Sequence, residues 1–248
     1  MRRSGSFSPR QEDFGGSENA TMRSLVMTEP APASSKVGSD YLPLLICAEQ
    51  TMAMPAIRRR WTAADVRALT SEERAWPRYE LIDGELLVTP VPRTAHQYAV
   101  TEMWDVLNRY LESNPVGSVL ISPSDLELAP DTITQPDVFV IPLDTVLAGD
   151  VVQWPDVKAL LLAVEILSPS SLRTDRTIKR DFYLANGVEE YWIVDLEARV
   201  VERWRPLSET PEILRDRILW APREGDALTI DLPAWFLRVE RKSRLLPT

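Results

Sequence analysis

Apolar and polar positions sort the chain into elements from Trp61 onward. Thr62 stands before the short periodic run Ala63–Leu69, as an N-cap stands before a helix. Tyr79-Glu80-Leu81-Ile82 and Glu85-Leu86-Leu87-Val88 flank Asp83-Gly84, a pair that supplies the positive φ angles of a two-residue hairpin turn. Pro90 and Pro92 end the second strand. From Thr94 to Ser113 the residues Ala99, Met103, Val106, Leu107, Tyr110 and Leu111 recur at helical spacing and predict one long helix. Gly117–Ser122 and Asp125–Ala129 read as short strands, with a turn over Asp131–Gln135. Asp137–Ile141 is a strand opened by Pro136. Ala159–Leu167 is almost wholly apolar, as expected of a strand buried on both faces. A Ser-Pro-Ser-Ser loop follows, then a helix capped by Thr174 or Asp175 that runs to Asn186 and stops at Gly187. Tyr191–Asp195 and Arg199–Arg205 form a further strand pair. Ile213–Trp220 and Leu228–Ile230 read as extra strands at the edge. The series predicts an α/β fold: a mixed sheet flanked by helices, with an N-terminal hairpin and added C-terminal strands.

The first 51 residues differ from the rest. Ser, Gly, Pro, Ala and Glu dominate and no period is visible, which predicts disorder. This segment is either a tail or lies upstream of a start at Met52 or Met54, leaving 52–248 as a single domain. Arg2 and Arg3 lack a following apolar run, against a secretory signal, and Glu12, Asp13 and Glu18 speak against a transit peptide. No run approaches the roughly 18 apolar residues of a membrane span. One cysteine, Cys47, excludes an internal disulfide and fits a reducing compartment, the cytoplasm. One histidine, His96, excludes a histidine-based metal cluster. Charge changes the picture further. The chain has 28 basic and 37 acidic residues, a net charge of -9, which argues against coating nucleic acid or a membrane by bulk attraction. An enzyme with a local basic groove is still allowed, and carboxylates gathered around a divalent cation suit the balance.

Glu165 is the anomaly in Leu160-Leu161-Leu162-Ala163-Val164-Glu165-Ile166-Leu167. A carboxylate in a buried strand needs a cation, a hydrogen-bond network or a raised pKa. A structural ion pair with an arginine is the plain alternative. Asp137 is a second acid, opening the apolar strand Val138-Phe139-Val140-Ile141, 28 residues before Glu165. Alone it reads as a common strand start. Together, two adjacent strands would bring both carboxylates to one point, and such hard oxygen ligands suit Mg²⁺ or Mn²⁺.

Tyr79-Glu80-Leu81-Ile82-Asp83-Gly84-Glu85, His96, Pro136-Asp137-Val138, Val164-Glu165-Ile166-Leu167-Ser168-Pro169-Ser170-Ser171, Asp175 with Lys179 and Tyr183, and Gly187-Val188-Glu189-Glu190-Tyr191-Trp192-Ile193-Val194-Asp195 resemble the Uma2 family. The resemblance runs from about Trp61 to Arg205. It implies a restriction-endonuclease-like core of the PD-(D/E)XK nuclease superfamily. It also implies roles. Asp137 and Glu165 would be acidic ligands of the metal, with the backbone carbonyl of Ile166 beside them. The superfamily's lysine would stand two residues after Glu165, where this chain has Leu167. Lys179, 14 residues after Glu165, resembles the lysine that some branches supply from the following helix. It is one of only four lysines in the chain, which favours a role over background; a solvated surface lysine is the plain alternative. Glu80 would be a third acid.

The resemblance therefore implies a metal-dependent endonuclease that hydrolyses phosphodiester bonds, of DNA foremost, with Mg²⁺ or Mn²⁺ as cofactor. A homodimer is compatible with double-strand cutting. His96 is expected to cap or pack beside the site, Asp175 and Arg173 to order the loop or contact phosphate, with a helix cap the simplest role for Asp175, and Tyr191 and Trp192 to pack in the core. Arg173, Arg176, Lys179 and Arg180 are the candidate cationic surface. The rival expectation is a domain of the same fold with no effective cleavage, acting by binding or regulation; the net charge and Leu167 motivate it. A glycosidase reading of the paired acids fits less well, because no aromatic-rich sugar cleft is legible. The nuclease expectation requires that Asp137 and Glu165 face the same side of the sheet with no arginine plugging the gap between them.

Overall fold

The Asp-Gly turn forms as its chemistry dictates. Asp83 and Gly84 take φ of 52° and 77°, joining β1 (Arg78–Ile82) to β2 (Glu85–Thr89) in a two-stranded antiparallel sheet. Before the hairpin, Thr62 and Asp65 close a reciprocal capping box on α1 (Ala63–Leu69). The long helix α2 (Thr94–Ser113) has the predicted extent and buries Ala99, Met103, Leu107 and Leu111. The structure is a computed structural model that describes residues 60–70, 77–147, 153–222 and 226–244. The expected tail lies outside the described residues. The described residues fall within one compact unit, Ala56–Thr248.

A six-stranded mixed sheet carries the fold. Its order is β3 (Gly117–Ile121), β4 (Val138–Pro142), β5 (Leu162–Ile166), β6 (Tyr191–Asp195), β7 (Val200–Trp204) and β8 (Glu212–Leu214). Only β5 and β6 run parallel; the other pairs are antiparallel. A short helix α3 (Leu143–Leu147) follows β4. Alternation along β4, β5 and β6 divides the core in two. Val138, Val140, Leu162, Val164 and Val194 pack with α2 on one face. Phe139, Ile141, Ala163, Tyr191 and Ile193 pack on the other with Ile82 of the hairpin and with Phe182 and Tyr183.

The segment after β5 departs from expectation. The helix starts earlier, as α4 (Leu172–Thr174), widens into a π-helical turn over Asp175–Lys179, and continues as α5 (Arg180–Ala185). Asp175 is therefore inside the helix and buried, and does not cap it. Gly187, at φ 81°, is the predicted stop. Asp125–Ala129 is not a full strand; Leu126 makes a single bridge to Thr134, and Ile133 bridges Leu81. At the C-terminus β9 (Arg217–Trp220) and β10 (Leu228–Asp231) pair antiparallel as a separate sheet. The sequence pattern missed α6 (Leu232–Arg244), which buries Trp235, Phe236 and Val239 in the core shared with α2. Asp231 accepts a hydrogen bond from the Ala234 N–H, closing its first turn. Glu102 of α2, buried, pairs with Arg238 and Lys242 of α6. No helix among the described residues is long and apolar enough to cross a membrane.

Candidate active site

Register brings the two central acids together. β4 and β5 pair Val138 with Val164 and Phe139 with Ala163. One step beyond the last pair, Asp137 stands opposite Glu165, and both point to the face that carries Phe139 and Ala163. Asp137 also reaches across the strands: its Oδ2 accepts from the Ile166 N–H at 2.9 Å.

The hairpin and the widened helix add the rest. Leu81 exchanges two backbone hydrogen bonds with Ile133, at 2.7 and 2.9 Å, which lays β1 beside the chain leading into β4. Glu80 is thereby aimed inward, and its Oε1 accepts from the Gln135 N–H at 2.8 Å. Its Oε2 lies 2.8 Å from the Lys179 ammonium. The same ammonium donates to Glu165 Oε1 at 3.0 Å and sits 3.6 Å from Asp175 Oδ1. The Tyr183 hydroxyl, one helical turn after Lys179, donates to Glu165 at 3.3 Å. All of these side chains are buried, Asp175 completely.

Two residues sit on Asp137 from the other side. Arg78 Nη2 donates to Oδ1 at 2.9 Å, and His96 Nε2 lies 3.0 Å from Oδ2. His96 thus packs beside the site, as expected. Arg78 was missed, although it alternates with Glu80 on β1 and so shares its face. Asp175, expected to cap its helix, order the loop or contact phosphate, instead lies inside the helix beside Lys179. Tyr183 follows Lys179 by four residues, the spacing of one helix face.

The electrostatics follow from burial in a crowd of like charges. Burial would raise Asp137, but His96 and Arg78 hold it well below the usual carboxylate range. Burial raises Glu165 well above its ordinary value; Lys179 opposes this, while Asp137, Asp175 and Glu80 reinforce it. Asp175 is raised by burial, and again Lys179 opposes. Neither Asp175 oxygen has a well-formed hydrogen bond; Ser171 and Lys179 are its polar neighbours. Burial would lower Lys179, but Glu165, Glu80 and Asp175 outweigh it and keep the amine protonated.

Four carboxylates thus share one buried pocket with two permanent cations, Lys179 and Arg78. The surplus negative charge and the hard oxygen donors fit a divalent cation. The arrangement meets that chemistry only in part. Among the described residues, no three His, Cys, Asp or Glu side chains converge closely enough to hold a metal ion as they stand. Asp137 in particular has both oxygens engaged by Arg78, His96 and the Ile166 amide. The two acids do face one side of the sheet, but an arginine does rest on one of them.

The expected cationic surface on the following helix does not form. Lys179 is buried, Arg176 pairs with Glu202 and Asp195, and Arg180 pairs with Asp181 and lies over Trp204. Of the four residues only Arg173 is exposed.

Residues 63–238 match the Uma2 family, described as "Putative restriction endonuclease". The chain belongs to the Uma2 family. The match passes Arg205 and takes in β9, β10 and most of α6, so these C-terminal elements belong to the Uma2 region rather than decorating its edge. A crystal structure from Anabaena variabilis ATCC 29413, described as a putative nuclease belonging to DUF820, is similar with a TM-score of 0.59 at 21% identity. The likeness covers 72% of this chain and 98% of that one, and bears on the fold alone. No curated protein matches. The Uma2 chain therefore has a mixed α/β fold shared with that protein and belongs to a nuclease-like family.

Proposed function

We propose that this Uma2 protein is a metal-dependent endonuclease that hydrolyses phosphodiester bonds of nucleic acid, DNA foremost. The observation that carries the reading is the placement of Asp137 opposite Glu165 on adjacent strands, with the Lys179 ammonium bonded to Glu165. Asp137, Glu165 and the Ile166 carbonyl would hold the ion, Mg²⁺ or Mn²⁺. When bound it supplies a lowered pKa for an attacking water and stabilises charge on the phosphate oxygens.

The chain's own residues do the rest. Lys179 is kept protonated by three carboxylates, so it orients and donates rather than accepting a proton, and it offsets phosphate charge. Glu80 fixes the amine from the far side while its other oxygen is held by the Gln135 amide. Tyr183 steadies Glu165. Asp137 stays ionised across the physiological range, whereas Glu165, raised by burial, would give up its proton as the ion binds. Cutting both strands calls for two such sites, which a homodimer provides.

Incubation of the purified protein with supercoiled plasmid and Mg²⁺ or Mn²⁺ tests this. Nicking or cutting is expected, and Asp137→Ala and Glu165→Ala should each lower the rate by about 10²–10³-fold or more. Undiminished cleavage by both variants would refute the site. A second reading, binding without effective cleavage, is favoured by one observation: Arg78 occupies an Asp137 oxygen that a metal would need. It predicts nucleic-acid binding with no cutting at any Mn²⁺ concentration.

A further inference from the structure

The acids are buried, so a substrate must reach them through an opening, and the described residues contain a cavity of about 380 Å³ at the right place. Arg78 and His96, the two residues that touch Asp137, both line it. Its lining takes in the apolar stretch Pro90-Val91-Pro92 between β2 and α2, and Leu167 and Pro169, just past Glu165. Its volume lies in the ~300–1,000 Å³ range of small-ligand sites.

The charge of this lining is unlike that of the protein. In a chain of net charge -9, it carries Arg93 and also Arg78, which is paired with Asp137 behind it, against the single lining acid Glu197. Arg93 is exposed, has no acidic partner among the described residues, and is the N-cap residue of the 20-residue helix α2, whose first turn contains no acid. Val91 beside it is 69% exposed. An apolar lining next to a guanidinium with no acidic partner among the described residues, separated from Asp137 by Arg78 and His96, matches a ligand with an apolar part and an anionic part.

We infer that this cavity receives one unpaired nucleotide of the substrate strand, with its base against Pro90, Val91 and Pro169 and its phosphate at Arg93. The inference rests on the nuclease reading and deepens it, since it makes the strand enter from the β2–α2 side and favours single-stranded over duplex nucleic acid. The chemistry is shared by DNA and RNA. Arg78 meets the same phosphodiester chain from inside the cavity, so an arriving phosphate offers it an anion other than Asp137.

Fluorescence anisotropy with a short labelled oligothymidylate and the matching oligouridylate tests the inference, on native protein, Arg93→Ala and Val91→Asp. Both substitutions are at exposed positions, so the fold should survive. Arg93→Ala should weaken binding about tenfold and lower the slope of log affinity against log salt by about 1, the mark of one lost phosphate contact. Val91→Asp should weaken binding of the base-bearing oligomers more than that of an oligonucleotide abasic throughout, because its charge repels both backbones but only the former lose an apolar contact to a base. Whichever oligomer binds more tightly is the preferred nucleic acid. Binding by native protein that neither variant alters would overturn the cavity assignment and leave the nuclease reading standing. Native protein that binds neither oligomer and cuts no plasmid would overturn both.

Discussion

At the scale of single residues, Lys179 is the group on which the others depend. It is the shared counter-ion of Glu80, Glu165 and Asp175. Lys179→Met would leave three buried acids without it and should destabilise the protein by about 3–5 kcal/mol, read as a lower urea midpoint. A cost under about 1 kcal/mol would mean that the acids are wetter than the structure implies. The pH dependence has a definite sign. Glu165 is raised in the folded state, so the native protein holds that proton more tightly than the unfolded chain. Stability should therefore fall as pH rises from about 4.3, the ordinary glutamate value, through the raised folded value. Asp137 acts oppositely: held low, it contributes stability that is present above about 3.9 and lost as pH falls through its folded value. Urea melts at several pH values between 5 and 7 should show a declining midpoint for native protein and a flatter line for Glu165→Gln. Parallel lines would contradict the assignment. Glu165 was legible because a charge inside an apolar run must be explained. Arg78 and Asp175 were less so, since neither interrupts an apolar run and their partners lie on other elements.

At the scale of elements, strands and the long helix were legible from periodicity, and the C-terminal helix was not. α2 has its apolar residues at regular helical spacing over 20 residues. α6 begins Leu232-Pro233 directly after a strand, and its second half is dominated by charge. Its amphipathic face becomes apparent only when α2 is beside it to receive Trp235, Phe236 and Val239. Trp235→Ala should cost about 3–5 kcal/mol in urea denaturation. It should leave cleavage per folded molecule unchanged, because α6 packs on the face of the sheet opposite the acids. The π-helical turn over Asp175–Lys179 is the other element the sequence hid. No residue type marks it, and it is held by tertiary demands, with Asp175 and Lys179 both directed into the pocket. The tyrosines behind it belong to that demand: Tyr191 donates from its hydroxyl to the Asp175 carbonyl at 3.1 Å, and its ring lies 5.1 Å from that of Tyr183.

At the scale of the whole molecule, the fold concentrates negative charge where β4, β5, the hairpin and the widened helix meet, and leaves it incompletely compensated. An ion that binds there binds only the folded state, so Mn²⁺ should raise the melting temperature, by an amount that grows with its concentration. Calcium or magnesium should act in the same direction if they are bound. The most direct measurement is calorimetric titration of the purified protein with MnCl₂, beside Asp137→Asn and Glu165→Gln. Native protein should bind Mn²⁺ with saturable heat at or below millimolar concentration, and each variant should lose most of that binding. No heat from native protein at millimolar Mn²⁺, or equal binding by all three proteins, would contradict a metal centre built on Asp137 and Glu165.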